Sequence, residues 1–110
     1  MKNNKALAIK YFQYFSEKDI KNLESYFSEE ITLRDWDINV SGKKDVLEAN
    51  KSIFNSVESI LAEPKNIYVI EDTVIAELVI TVNNNEQLLV IDVIKFCKEG
   101  KIKSIRAYKG

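Results

Sequence analysis

The apolar period of this sequence changes once, and that change limits the folds open to it. From Asn4 to Val57 apolar residues recur every three or four positions. From Ile67 onward they gather in short runs rich in Val, Ile, Thr and Tyr, divided by turn residues. Leu7, Tyr11, Tyr14 and Phe15 form one helical stripe over Asn4–Ser16, and Asn3 or Asn4 can cap its start. Asp19 reads as a second N-cap, followed by Ile20, Leu23, Tyr26 and Phe27, so the two helices meet in a tight corner at Glu17-Lys18. A third helix starts after Ser41-Gly42, with Val46, Ala49, Ile53, Phe54 and Val57 on its buried face.

The strand half reads as Ile67–Ile70, Thr73–Val82, Glu86–Cys97 and Lys101–Tyr108, with turns at Asn83-Asn84-Asn85 and Lys98-Glu99-Gly100. Ile31–Trp36 supplies a short strand between the second and third helices. Pro64 breaks any strand from Ile60 to Ile70 and marks an edge or a bulge, because proline donates no ladder hydrogen bond. This order predicts an α+β fold: a cone of three helices from the N-terminal half packed on a strongly curved, mostly antiparallel sheet. In Glu86–Cys97 both alternating sets are apolar, so both faces of that strand should be covered. A second subunit on Leu89, Ile91 and Val93 is the simplest cover, which predicts a homodimer.

Composition narrows the chemistry. The 110 residues suit a single domain, 1–110, and 45% hydrophobic content supplies a core. A net charge of −1 provides no basic excess for a nucleic-acid partner. With no histidine, the imidazole base, the histidine-dependent triads and most zinc sites are absent. One cysteine, Cys97, cannot form an internal disulfide. The opening MKNNKALAIKYF is too polar for a signal peptide, and no run reaches the roughly 20 apolar residues of a membrane span. The expectation is a cytoplasmic protein without membrane contact.

Asp92 stands out because it interrupts the apolar run LLVIDVI. It is either held in an ion pair or at a sheet edge, or it is a carboxylic acid that keeps its proton and donates a hydrogen bond. Glu77 breaks the neighbouring strand TVIAELVITV in the same way. A two-residue turn at Asn84-Asn85 sets Glu77 opposite Asp92, whereas a three-residue turn sets Ala76 there. A three-residue turn at Lys98–Gly100 brings Arg106 opposite Asp92, where it would keep the carboxylate ionised. In Leu33-Arg34-Asp35-Trp36-Asp37, a carboxylate beside the only tryptophan is either a solvated strand end or a general base beside an aromatic wall. Tyr11 and Tyr14 read first as core residues, of which only a phenol aimed into a pocket would carry chemistry, and Arg106 and Tyr108 read first as surface-facing residues of the last strand.

The order helix–helix–strand–helix–strands resembles the nuclear-transport-factor-2-like superfamily, in its ketosteroid-isomerase-like and SnoaL-like branches. The resemblance spans essentially the whole chain. It is strongest in IDVIKFCKEGKIKSIRAYKG, Ile91 to Gly110, and in AIKYFQYFSEKDIKNLESYFSEEITLRD near the start. It implies that Tyr11 is the oxyanion-hole tyrosine, Asp35 the general base and Asp92 the protonated acid sharing the oxyanion hole. Ketosteroid isomerase is the reference case for such a neutral acid. Arg34 and Trp36 flank Asp35 where the isomerases have an acidic residue and a proline, and Glu77 has no catalytic counterpart.

The resemblance further implies a small apolar ligand in the cone, and the residues themselves offer Trp36, Glu77, Arg106 and Tyr108 as its candidate contacts. It implies a proton moved α to a carbonyl with no cofactor and no metal. The alternatives are a non-catalytic small-molecule-binding protein of the same shape and a dimerisation module.

Overall fold

The computed structural model describes residues 3–110; Met1 and Lys2 lie outside the described residues. Two helices, α1 (Asn4–Ser16) and α2 (Ile20–Tyr26), precede strands β1 (Phe27–Arg34) and β2 (Asn39–Ser41). Helix α3 (Lys43–Ser56) and four long strands follow: β3 (Ile60–Ile70), β4 (Thr73–Val82), β5 (Glu86–Phe96) and β6 (Ile102–Lys109). The six strands form one sheet in the order β2-β1-β6-β5-β4-β3. Only β1 and β6 run parallel. Among the described residues no helix is long and apolar enough to cross a membrane.

Local chemistry sets the element boundaries. The Asn3 side chain accepts from the Ala6 N–H at the start of α1, and Asp19 accepts from the Asn22 N–H at the start of α2. Lys18 turns the chain between them at φ 57°, a left-handed conformation. Its ammonium donates to the carbonyls of Phe54, Val57 and Glu58 at 2.9, 2.7 and 3.1 Å. It thereby satisfies the Phe54 carbonyl, which α3 leaves open in its last turn, and the carbonyls of the C-cap Val57 and of Glu58 just beyond it. β3 is continuous through Pro64, which sits on the sheet's outer strand with a register shift between Pro64 and Asn66.

The helices cover one face of the sheet. Tyr11, Phe12, Leu23, Phe27, Ile31, Ile94, Phe96 and Ile102 form the core between the layers. Along β5 the inward residues Val90, Asp92, Ile94 and Phe96 are buried, and the outward Leu89 and Ile91 are exposed. Both faces of β5 are thus apolar, but only one is covered by the chain itself.

Two registers decide which residues meet. The β4–β5 turn has three residues, with Val82 opposite Glu86, so Ala76 faces Asp92 and Glu77 faces Ile91. The β5–β6 turn also has three residues, and the Cys97 N–H donates to the Lys101 carbonyl. A bulge between Lys95 and Phe96 then shifts the pairing by one, because Phe96 pairs with Ile102 and Lys95 with Ser104. Ala107 therefore lies opposite Asp92 and Arg106 opposite Val93. The expected cross-strand pairing of Arg106 with Asp92 is corrected by this single extra residue, which sends Arg106 to the other face.

Candidate active site

Between α1, α3 and the concave face of the sheet lies a cavity of about 230 Å³. Its walls are mainly aliphatic and aromatic, contributed by residues such as Phe15, Leu33, Ile53, Leu78, Val90 and Ile105. Tyr11, Asp35, Trp36, Asn50 and Asp92 also border it. An apolar space with a few convergent polar groups has the character of a small-molecule site.

Tyr11 reaches the cavity from α1. Its ring packs against Phe12, Phe15 and Phe27 at centroid distances of 5.4, 6.2 and 6.3 Å, which hold the phenol in one place. Burial, then the nearby charges of Asp92 and Asp35, raise its pKa, so the hydroxyl stays a neutral donor. Among the described residues nothing hydrogen-bonds that hydroxyl, and it is not sealed away from the cavity.

Asp92 enters from β5 at 7% exposure, in the cross-strand row Ala76–Asp92–Ala107. Two methyl groups offer a carboxylate no hydrogen bond and no countercharge. Burial, followed by the Asp35 charge, raises its pKa from 3.8 to about 7. No described residue hydrogen-bonds or ion-pairs with it. Its oxygens open to the cavity.

Asp35 follows β1 at the tip of the β1–β2 hairpin. Its Oδ1 accepts from the N–H groups of Asp37 and Ile38 at 2.7 and 2.6 Å, and its own N–H donates to the Ile38 carbonyl at 2.8 Å. This Asx-type turn orients the carboxylate and leaves Oδ2 without a partner from the fold. Trp36 follows, half-exposed, with the Lys109 ammonium 5.2 Å from its ring centroid.

The two ends of the chain's resemblance are thus brought together in space. A family comparison agrees: the sequence pattern of SnoaL-like domains matches residues 8–105. The chain belongs to the SnoaL-like domain family. No curated protein matches it in sequence. The solved structures that resemble this SnoaL-like domain include an NTF2-like protein of unknown function from Cytophaga hutchinsonii. That pair shares a TM-score of 0.84 and 11% identity, covering 100% of this chain and 92% of that one. A candidate ketosteroid isomerase from Kribbella flavida has a TM-score of 0.82 and 14% identity, covering 97% and 77%. SalBIII, an epoxide hydrolase/cyclase-like enzyme with a role in pyran ring formation in the polyether salinomycin, has a TM-score of 0.78 and 21% identity, covering 97% and 90%. At these identities the likeness is one of fold.

Three residues expected at the ligand stand elsewhere in this SnoaL-like domain. Glu77, Arg106 and Tyr108 do not border the cavity, because their registers turn them to the outer face of the sheet. There the Tyr68 hydroxyl donates to Glu77 Oε1 at 3.3 Å. Conversely, Asn50 was not singled out from the sequence and does border the cavity. The signal was present: Val46, Asn50 and Phe54 are four residues apart and form the buried row of α3. Among the described residues no group of three or more Cys, Asp or Glu side chains stands close enough to hold a metal ion.

Proposed function

We propose that this SnoaL-like domain is a cofactor-independent acid/base enzyme that moves a proton α to a carbonyl in a small apolar compound. The observation that carries the reading is the meeting of Tyr11, Asp35 and Asp92 at one apolar cavity, with the two buried hydroxyl-bearing groups unpaired by the fold.

The roles follow from protonation and position. In the carboxylate form, Asp35 takes the α-proton through Oδ2. The C–H electron pair becomes a carbon–carbon π bond, and the carbonyl π pair moves onto oxygen. Tyr11 and neutral Asp92 donate hydrogen bonds to that oxygen as its charge grows, in a site where such donors act strongly. Where the compound carries a carbon–carbon double bond β,γ to the carbonyl, the product of this step is a dienolate. Asp35 then returns the proton to its γ-carbon, the oxygen pair re-forms the carbonyl, and the double bond moves into conjugation, so the net change is isomerisation.

Substituted phenols probe the donor pair, since a phenolate oxygen imitates the enolate oxygen. Calorimetry should show binding that weakens at least tenfold in Tyr11→Phe and in Asp92→Ala and persists in Asp35→Asn. Phenol binding indifferent to Tyr11 and Asp92 would contradict the donor assignment. Binding by the wild type without any proton transfer would instead favour a non-catalytic carrier, the reading supported by the family's breadth of functions on one fold.

The same reading includes a homodimer through the outer sheet face. Its support is the group Leu61, Tyr68, Leu89, Ile91 and Tyr108, all at least two-fifths exposed on that face.

A further inference from the structure

Asn50 is a deeply buried polar group of the cavity that the acid/base reading leaves unused, whereas Asp37 and Trp36 border it from the exposed β1–β2 tip. Asn50 is 2% exposed, in the middle of α3, where Val46 and Phe54 on either side of it are apolar core residues. Its Nδ2 donates to the Val46 carbonyl at 2.8 Å. That bond fixes the amide's orientation, because a carbonyl can only accept, so the nitrogen must face Val46 and Oδ1 must face away. Among the described residues nothing donates to Oδ1, and the atom is not sealed in protein but reaches the cavity. A leucine at this position would fill a helical core site with better propensity and no polar atom to satisfy. An acceptor is held in its place, bordering a mainly apolar volume.

We infer that Asn50 Oδ1 is a second polar subsite of the cavity, which selects ligands carrying a hydroxyl or N–H donor apart from the carbonyl. The inference rests on the proposed reading of Tyr11 and Asp92 as the site for the carbonyl oxygen. An oxygen acceptor left bare against an apolar ligand loses its hydration without replacement, whereas a ligand donor restores it. The substrate class is therefore a small, largely apolar carbonyl compound with one remote donor group, rather than a pure hydrocarbon ketone. Sites that hydrogen-bond a ligand group discriminate strongly against the analogue lacking it.

Matched phenols separate the two claims. One set carries a hydroxymethyl group at the ortho, meta or para position, and the other carries an ethyl group of similar size. At one ring position the wild type should favour the hydroxymethyl compound at least tenfold more than Asn50→Leu does. Asn50→Leu should bind the ethyl compound as well as the wild type or better, which also reports that the variant is folded. Equal hydroxymethyl-to-ethyl ratios in wild type and Asn50→Leu at all three positions would overturn the subsite and assign Oδ1 to water. If the preference depends on Asn50 while no phenol responds to Tyr11→Phe, the donor-pair reading fails and the subsite stands. If all phenols respond to Tyr11→Phe and none to Asn50, the reverse holds.

Discussion

A carboxyl group set between two alanines on an apolar strand has nothing with which to share a charge, and Asp92 keeps its proton to about pH 7 for that reason. The sign of the consequence is fixed by linkage. An unfolded aspartic acid ionises near pH 4. Between about pH 4 and pH 7 the folded chain holds a proton that the unfolded chain has released, so stability falls as pH rises through that window. Asp92→Asn removes the titration. Thermal or urea unfolding should show the variant close to wild type at pH 4 and more stable by at least about 1 kcal/mol at pH 8. A variant less stable than wild type at pH 8 would mean that the carboxylate has a partner. The Asp35 charge contributes to the same shift, so Asp35→Asn should lower the Asp92 pKa, as read from a ¹³C carboxyl titration. Asp92 was visible in the sequence because an acid inside LLVIDVI is costly to place. Asn50 was harder to see, because a neutral amide carries a weaker polarity signal and its importance depends on a cavity that periodicity does not show.

At the scale of elements, the helical half was read closely from spacing and caps, and the strand half was read in outline. In the pairing of β4, β5 and β6 a single residue of register made the difference, while β1 and β3 also begin earlier than expected, at Phe27 and Ile60. The sequence left the β4–β5 turn open between two and three residues, and the bulge between Lys95 and Phe96 leaves no composition signal. Because side chains alternate, one added residue was enough to exchange Arg106 for Ala107 beside Asp92. Strand β2, only three residues long, was too short for its period to register. The corner between α1 and α2 was expected, but the work of Lys18 in it was not, since its three carbonyl partners come from 36 to 40 residues away. Lys18→Met keeps the stem and removes the donors. It should cost about 1–3 kcal/mol in chemical unfolding, because the carbonyls at and just beyond the C-terminus of α3 lose their partner. A cost below about 0.5 kcal/mol would show that water replaces the ammonium freely.

The whole molecule places Tyr11 and Asp92 on the covered side of the sheet and a mixed surface of exposed apolar and charged side chains on the other. Glu77 and Arg106 sit on that outer face, on either side of β5 and one register step apart. A two-fold axis lying just outside this face and running along β5 would bring Glu77 of one protomer toward Arg106 of the other, and the pair would be self-complementary. Sedimentation should therefore show a dimer at micromolar concentration. Glu77→Arg should weaken the dimer, and adding Arg106→Glu should restore it. A monomer throughout would remove the dimer from the account. The acid/base claim is tested most directly by following hydrogen–deuterium exchange at the α-carbon of small cyclic ketones and enones in D₂O by NMR. The account predicts exchange catalysed by the wild type, lost at least a hundredfold in Asp35→Asn and reduced in Tyr11→Phe, and declining as pH rises through about 7 as Asp92 ionises. Exchange at the buffer rate across a panel whose members bind the cavity would contradict it.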